Sequence, residues 1–279
     1  METKMTKIPT GIPSFDPVIK GGFPAGAFVL LLGEVGAGSQ EFVYSSALML
    51  SKMKKDDVKL KPELKLPEKI VYISFTKTRE NILQSFATMK VSSDSELENV
   101  LTFVDLSSTY FARTQVPTNW TTSGAEALNA FKSGQKNKSL FDSLIETLDM
   151  YAPNNLVIID SLTDLLRSAV ADKVSWADFV SLLKGIERMS KQWNSTIYAM
   201  LTSQIFDHSN EEEVSDCADG VLVFNWEATG ANQRQRMMYI KKFRGLMPYL
   251  EEDNVVRFET RVSHSRGFEV SNIREIVGK

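Results

Sequence analysis

Apolar residues along the chain form two kinds of pattern, short continuous runs and longer stretches with helical spacing. Runs that are typical of buried strands lie at residues 29–32, 70–75, 100–106, 156–160 and 196–201. Stretches with helical spacing lie at residues 41–53, 79–90, 140–151 and 176–193. This alternation predicts an α/β fold with a mostly parallel central sheet flanked by helices, in which ligands bind at the carboxyl ends of the strands.

The pattern changes after residue 219, where the apolar runs become shorter and no long helical stretch separates them. These runs lie at residues 220–226, 236–242, 255–260 and 268–270. Short strands joined by glycine or polar turns predict antiparallel pairing at the edge of the sheet. We therefore expect a single domain over residues 1–279, with a turn segment at 8–27, a parallel α/β core at 28–204 and a C-terminal β extension at 219–279.

Three segments lie outside these patterns. Residues 8–27 are rich in glycine and proline and predict an ordered set of turns before the first strand. The lysine-rich segment 52–69 predicts a mobile, solvent-exposed excursion between a helix and a strand. The polar segment 107–138 predicts at most a short helix, at residues 125–131.

A glycine-rich loop connects the first apolar run to the first predicted helix. Its residues are Gly33, Glu34, Val35, Gly36, Ala37, Gly38, Ser39 and Gln40. A strand, a glycine loop and a helix N-terminus in that order form the unit whose backbone amides bind phosphate. Gly33 and Gly38 fit the P-loop spacing G-x-x-x-x-G-K-S/T, but Ser39 and Gln40 replace the lysine that contacts the outer phosphates and the hydroxyl that binds magnesium. The loop is a candidate nucleotide-binding site without those two side chains.

Composition narrows the classes of function. Of 279 residues, 43% are hydrophobic, and the net charge of -3 gives no broad positive surface for nucleic acid. The one cysteine, Cys217, excludes an internal disulfide, and no stretch approaches the roughly 18 apolar residues that span a membrane. We therefore expect a cytoplasmic protein whose partners include neither nucleic acid nor a membrane.

Residues 10–38 read TGIPSFDPVIKGGFPAGAFVLLLGEVGAG and resemble the opening of the KaiC/RadA group of RecA-like P-loop ATPases. The short strands that close the chain are similar to the end of that group as well, so the likeness covers nearly the whole sequence. The resemblance implies a RecA-like fold with a degenerate nucleotide loop, and self-association in a ring or filament.

The resemblance also assigns roles at two strand ends. LVIIDSLTDLL, residues 156–166, is similar to the segment whose aspartate holds magnesium through water, so Asp160 is a candidate metal ligand; the alternative is a plain helix N-cap. Where KaiC-like proteins have Phe-Glu-Glu, with a glutamate that activates water, this chain has Phe75, Thr76 and Lys77, neither of the last two being a base near neutral pH. Lys77 either replaces the charge lost at position 39 or is an exposed lysine at a helix start.

Three further candidates lie in the second half of the chain. Gln204 is similar to the glutamine that senses the terminal phosphate in RecA and RadA proteins, or is an ordinary residue leaving a strand. Lys242 and Arg244 resemble a Lys-x-Arg-Gly element that contacts the ATP of the adjacent subunit in KaiC-like rings, or lie on an exposed strand face. Residues 205–219 occupy the place of the DNA-contacting loop of recombinases, yet they are acidic and would repel phosphates, so strand exchange is not expected.

Three functions follow from these observations. The first is a regulatory or scaffolding subunit of the signal-transduction type, in which the loop still binds ATP or ADP, magnesium has only half of its usual protein ligands, and hydrolysis is impaired or lost. Its partners would be copies of the chain or a related active ATPase subunit. The second is an active ATPase that rebuilds its site from Lys77, Asp160, Gln204 and a neighbour's Lys242 and Arg244. The third is a nucleotide-free interaction domain.

Overall fold

The computed structural model describes residues 6–89, 94–112, 114–121, 139–171, 174–229, 233–252 and 257–274. The strands are β1 Lys7–Ile8, β2 Phe23–Pro24, β3 Phe28–Gly33, β4 Ile70–Ser74, β5 Leu101–Asp105, β6 Leu156–Asp160, β7 Thr196–Thr202, β8 Gly220–Ala228, β9 Arg234–Phe243, β10 Arg257–Ser263 and β11 Gly267–Arg274. The helices are α1 Ser39–Lys55, α2 Arg79–Ala87, α3 Asp94–Val100, α4 Ser107–Phe111, α5 Leu140–Tyr151, α6 Leu162–Ala171, α7 Trp176–Trp193, α8 His208–Cys217 and α9 Met247–Glu252. Thr118–Trp120 forms a 3₁₀ helix.

One large sheet organises the described part of the chain, with the strand order β11-β10-β9-β8-β3-β7-β6-β4-β5. The strands from β8 to β5 run parallel to one another. The strands β9, β10 and β11 extend the sheet by antiparallel pairing. The predicted α/β fold with a mostly parallel sheet and antiparallel edge strands is confirmed, and β3 carries the glycine loop at its carboxyl end, between β7 and β8.

The prediction for the C-terminal strands needs one correction. The run at residues 220–226 was expected to be antiparallel, but it forms β8, which runs parallel to β3 with Val223 opposite Leu32. Val221 and Leu222 are both fully buried and lie in two different apolar clusters, one on each face of the sheet. A strand that is apolar on both faces belongs in the interior of a sheet, so the antiparallel part begins one strand later.

The continuous apolar run of β3 is explained by helices on both faces of the sheet. Val29 and Leu31 pack in a cluster that includes Phe42 of α1. Leu30 lies in the other cluster, together with apolar residues of α5, α6 and α7 such as Leu183. Successive side chains of a strand point to opposite faces, so the two helical layers bury alternate residues of the run.

The helices agree with the predictions for residues 140–151 and 176–193, while others differ. The helix expected at 79–90 ends at Ala87, and the helices α3, α4, α8 and α9 were not predicted. The short helix expected at 125–131 lies outside the described residues. The lysine-rich segment 52–69 begins inside α1, and its Glu63 accepts a backbone hydrogen bond from Lys7 at 2.8 Å, so it is attached to β1. None of the described helices is both long and apolar enough to cross a membrane.

The glycine- and proline-rich segment 8–27 is held by a carboxylate. Asp16 accepts hydrogen bonds from the backbone N–H and the hydroxyl of Thr10, at 2.8 and 2.7 Å, and from the N–H of Gly11 at 3.0 Å. At Gly22 a Cβ would lie 2.2 Å from the carbonyl oxygen of Ile8, so only glycine permits the pairing of β1 with β2. The first part of the resembling segment therefore has a structural role, which is to set the path of the chain into β3.

Candidate functional site

The glycine loop presents backbone amides at the N-terminus of α1. Gly36 and Gly38 have φ angles of 75° and 116°, which glycine adopts at little cost, and α1 begins directly afterwards at Ser39. At Gly33 a Cβ would lie 2.7 Å from the Ser39 hydroxyl oxygen, so glycine allows the helix to start close to the strand end. Among the described residues, the N–H groups of Gly36, Gly38, Ser39 and Gln40 donate to no other group of the protein. These donors are available to an anion.

Two side chains of the C-terminal strands hold the carbonyl groups of the loop. Trp226 of β8 donates from Nε1 to the carbonyl of Val35 at 3.2 Å, and Arg236 of β9 donates from Nε to the carbonyl of Gly36 at 3.0 Å. Trp226 and Arg236 are opposite each other in the β8–β9 ladder, and the guanidinium lies 4.9 Å from the centre of the Trp226 ring. Neither residue was predicted, because their contact with the loop depends on a strand pairing made almost 200 residues later.

Lys77 and Asp160 meet at the carboxyl ends of β4 and β6. The two strands pair in parallel with Ser74 opposite Asp160, and the Ser74 hydroxyl accepts a hydrogen bond from the Lys77 N–H at 2.9 Å, which turns the chain back over the strand ends. Lys77 Nζ lies 2.7 Å from Asp160 Oδ2, and the Tyr72 hydroxyl donates to the same oxygen at 2.6 Å. Of the two interpretations of Lys77, the geometry agrees with a side chain directed to the site; its role there stays a prediction.

Burial and charge act in opposite directions on the Lys77 ammonium. Desolvation is the largest single effect and disfavours the charged form, but the charge and hydrogen bond of Asp160, together with Tyr44 and Asp164, outweigh it and raise the pKa of Lys77 above its ordinary value. Burial raises the pKa of Tyr72 well above its ordinary value, and the charge of Asp160 adds to this effect. Lys77 is therefore a cation and Tyr72 a neutral hydrogen-bond donor at neutral pH.

Gln40, at the position where a P-loop has its hydroxyl, is bound to α1. Its Nε2 lies 2.7 Å from the hydroxyl of Tyr44, one helical turn later. The Tyr44 hydroxyl lies near that of Tyr72, which in turn donates to Asp160. Tyr44 and Tyr72 were not predicted, since both lie within apolar patterns; the four-residue spacing of Gln40 and Tyr44 was the available signal.

A cavity of about 320 Å³ lies between the glycine loop and these strand ends. The predicted residues in its lining are Gly33, Glu34, Val35, Gly36, Gly38, Ser39, Gln40, Lys77 and Asp160. Ala37 is fully buried beneath the loop. The lining also includes Thr163 and Asp164 of α6, which were not predicted, and burial raises the pKa of the Asp164 carboxyl.

Gln204 contacts the loop from outside this lining. Its Nε2 lies 3.4 Å from Glu34 Oε1, while Glu34 Oε2 accepts a hydrogen bond from the backbone N–H of Trp226 at 3.2 Å. The backbone N–H of Gln204 donates to Glu211 of α8 at 2.6 Å. Gln204 thus lies beside Glu34, and a role as a sensor of the terminal phosphate stays a prediction.

Lys242 and Arg244 lie near the amino ends of the parallel strands, whereas the loop lies at their carboxyl ends. Lys242 is opposite Val221 near the start of β8, whereas the loop follows the carboxyl end of β3. Lys242 Nζ donates to the carbonyl of Asp216 at 2.9 Å, and Arg244 lies 3.5 Å from a carboxylate oxygen of Glu187. The pair does not reach the loop of its own chain, and contact with a neighbouring subunit stays a prediction.

The acidic segment at residues 205–219 contains the helix α8 rather than an open loop, which corrects the expectation from the sequence. Its carboxylates accept hydrogen bonds from other elements: Glu211 from Gln204, Glu212 from Lys241 and Glu213 from Trp176. Asp219, after the helix, accepts a hydrogen bond from the Phe28 N–H at 2.9 Å. Much of the negative charge of this segment is therefore paired with hydrogen-bond donors of the same chain.

Magnesium does not fit the site as these residues hold it. The ion takes oxygen ligands at about 2.0–2.1 Å in octahedral geometry, and a P-loop site would offer it Asp160 and a hydroxyl at position 40. In this chain the Lys77 ammonium lies 2.7 Å from Asp160, and Gln40 offers an amide that is bound to Tyr44. Among the described residues, no three His, Cys, Asp or Glu side chains come together as a metal site. A fixed ammonium thus lies beside the carboxylate where a divalent ion is expected.

Comparisons with known proteins agree with this architecture. A family model described as the ATPase KaiC matches residues 60–253, a segment that includes Lys77 and Asp160 and begins after the glycine loop. Among solved structures, a KaiC-like protein from the hyperthermophilic archaeon Pyrococcus horikoshii OT3 is similar, with a TM-score of 0.62 and 18% identity over 96% of this chain and 100% of that chain. At this identity the likeness concerns the fold. None of the curated proteins matched the chain.

Proposed function

The chain belongs to the KaiC ATPase family, within the RecA superfamily of P-loop ATPases, and from this premise we propose that it is a nucleotide-binding member without ATP hydrolysis. In this proposal the protein acts as a regulatory or scaffolding subunit whose partner responds to whether nucleotide is bound. The observation that carries it is the ion pair of Lys77 with Asp160, formed beside a loop that has no lysine of its own.

The loss of hydrolysis is supported by the chemistry of the strand ends. Phosphoryl transfer depends on positioning, on stabilisation of charge and on a group that orients the attacking water. At the end of β4, where the family resemblance implies a water-activating glutamate, the chain has Thr76 followed by Lys77, which is already paired with Asp160. The other carboxylates in the cavity lining are those of Glu34, Glu41 and Asp164. Glu34 accepts a hydrogen bond from the backbone N–H of Trp226, and Asp164 lies 2.9 Å from the Ser161 hydroxyl.

Binding of ATP or ADP is supported by what remains. The loop offers its unpaired amides at the N-terminus of α1, and the adjoining cavity of about 320 Å³ lies within the range of small-molecule sites. Lys77 lines the same cavity and supplies a positive charge. These three features suit the phosphate groups of a nucleotide.

The test combines a binding titration with a turnover assay on the purified protein. We expect ATP and ADP to bind and phosphate release to stay at background. Turnover well above background that falls in Asp160→Asn or Asp164→Asn would contradict the loss of hydrolysis. If neither nucleotide binds to the folded protein, nucleotide binding is wrong, and the interaction-domain hypothesis replaces it.

We propose that the partner is a second copy of this chain or a related active ATPase subunit. The support is that Lys242 and Arg244 of the family-like element lie away from the loop of their own chain. If they act across subunits, Arg244→Ala should weaken assembly or nucleotide binding only under conditions where the protein is oligomeric. Light scattering at several concentrations, with and without ATP, measures this, and an equal effect in the monomer would exclude the trans contact.

A further inference from the structure

We propose that the Lys77 ammonium takes the place of magnesium, so that the site binds the polyphosphate chain of a nucleotide free of divalent cation. This inference rests on the proposed nucleotide binding and specifies its ligand. It goes further than a weak dependence on magnesium, since it predicts that the metal-free nucleotide is the preferred form.

The first argument is the position of the ammonium. Asp160 ends β6 beside β4, and its carboxylate lines the same cavity as the loop amides. In a P-loop protein a cation at this carboxylate bridges it to the phosphates. Here Lys77 Nζ occupies that place at 2.7 Å, because the Ser74 hydroxyl turns the chain back over the strand ends.

The second argument is that the ammonium remains available to a ligand. An ammonium has three N–H donors, and among the described residues Lys77 Nζ has one hydrogen-bond acceptor, Asp160. The Lys77 side chain is 36% exposed, whereas that of Asp160 is 7% exposed. The carboxylate is therefore enclosed, and the ammonium that it holds still faces the cavity.

The third argument is the arrangement around Asp160. The Tyr72 hydroxyl donates to Asp160 at 2.6 Å, which fixes the carboxylate toward Lys77, and Gln40 is bound to Tyr44 rather than directed at a cation. A magnesium ion carried by a nucleotide would have to approach the Lys77 ammonium, and two cations a few ångströms apart repel each other. A nucleotide without the metal presents its phosphates directly to the loop amides and the Lys77 ammonium, and Glu34, Glu41 and Asp164 are the other charged groups of the lining.

The experiment is isothermal titration calorimetry of ATP into the full-length protein, once with EDTA and once with excess magnesium chloride. We expect wild type to bind ATP in EDTA about tenfold more tightly than in magnesium. Lys77→Gln should lose about 10- to 100-fold in EDTA, because a charge-assisted hydrogen bond to phosphate is lost, and Lys77→Arg should recover most of that loss. Lys241→Gln is the matched control, since Lys241 also pairs with a carboxylate, that of Glu212, and lies far from the loop.

Asp160→Asn gives the sharpest sign test. If Asp160 held magnesium, this change would weaken binding of the magnesium complex. We expect instead that in EDTA the variant binds ATP at least as tightly as wild type does, because the ammonium of Lys77 is released to the phosphates. Circular dichroism of each variant confirms folding, and Lys77→Arg keeps the test valid if Lys77→Gln unfolds.

The outcomes separate the two proposals. If ATP binds only with magnesium, or if Asp160→Asn weakens binding in EDTA, the place assigned to Lys77 is wrong while nucleotide binding stands. If ATP binds under neither condition, nucleotide binding itself is wrong. Inorganic tripolyphosphate is the final arm: binding in EDTA that also depends on Lys77 supports contact with the phosphate chain, and insensitivity to Lys77→Gln contradicts it.

Discussion

Replacing Tyr72 by phenylalanine removes one hydroxyl from the centre of the site and tests whether the network around Asp160 stabilises the fold. The Tyr72 side chain is fully buried in β4, and its hydroxyl donates to Asp160 Oδ2 at 2.6 Å. Hydrogen bonds of this length to a charged carboxylate are strong, and such bonds contribute about 1.5–3 kcal/mol. Because Lys77 still pairs with Asp160 in the variant, we expect a loss of about 2 kcal/mol.

Tyr198 of β7 provides a matched control for this change. It is also fully buried, and its hydroxyl, which lies near Ser46, makes no hydrogen bond of good geometry within the described residues. Tyr198→Phe therefore removes the same atom without removing a bond to a charge. We expect a change within about 0.5 kcal/mol, as for a hydroxyl that is not paired with a charged group.

Urea unfolding followed by circular dichroism measures both variants. For a chain of this length, about 2 kcal/mol corresponds to a fall in melting temperature of about 3 °C. Equal m-values for wild type and the two variants would allow the free energies of unfolding to be compared directly. If Tyr72→Phe is no more destabilising than Tyr198→Phe, the Tyr72 hydroxyl does not hold Asp160, and the picture of a fixed carboxylate is wrong.

Three further predictions concern the same region. The pKa of Lys77 is raised in the folded protein, so the ion pair with Asp160 contributes its full stabilisation below the ordinary pKa of 10.5 and loses it as the pH rises through the raised pKa. The difference in unfolding free energy between wild type and Lys77→Met should therefore be constant from about pH 6 to 9. A decline of that difference within this range would contradict the raised pKa. Trp226→Phe removes the donor to the Val35 carbonyl and should weaken ATP binding several-fold while the free energy of unfolding changes little. Equal ATP affinity would show that this hydrogen bond is not needed to hold the loop. Ser39→Lys with Gln40→Thr should restore tight magnesium-ATP binding only when combined with Lys77→Glu, as titration calorimetry of the double and triple variants would show.

The sheet was predictable because its signal is local. The run at β3 is apolar at every position, and such a run needs a helical layer on each face, which the helical stretches around it supply. The orientation of β8 was not predictable in the same way. Its residues have the composition of a strand, but whether a strand runs parallel or antiparallel depends on the path of the chain before it, here through α8.

The candidate site likewise has a part that is contiguous in sequence and was predictable, and a part that strand pairing assembles and was not. The loop from Gly33 to Gln40 is contiguous, so its glycine spacing could be recognised directly in the sequence. The residues that hold it, Trp226 and Arg236, are distant in sequence, and only the pairing of β8 with β9 brings them to the loop. Tyr72 could not be recognised either, because an aromatic residue in an apolar strand is normally explained by packing alone.

The departures from the P-loop pattern are better understood together than one by one. By the family resemblance, a complete site would hold the loop lysine, magnesium, two glutamates after β4 and the aspartate after β6, and these charges sum to zero. In this chain the lysine, the hydroxyl and both glutamates are absent, Lys77 has been gained, and the charges of Lys77 and Asp160 again sum to zero. Magnesium placed beside this neutral pair would lie next to the Lys77 ammonium, and restoring the loop lysine alone would add a further positive charge to that repulsion. Variants that restore the loop therefore have to replace Lys77 as well.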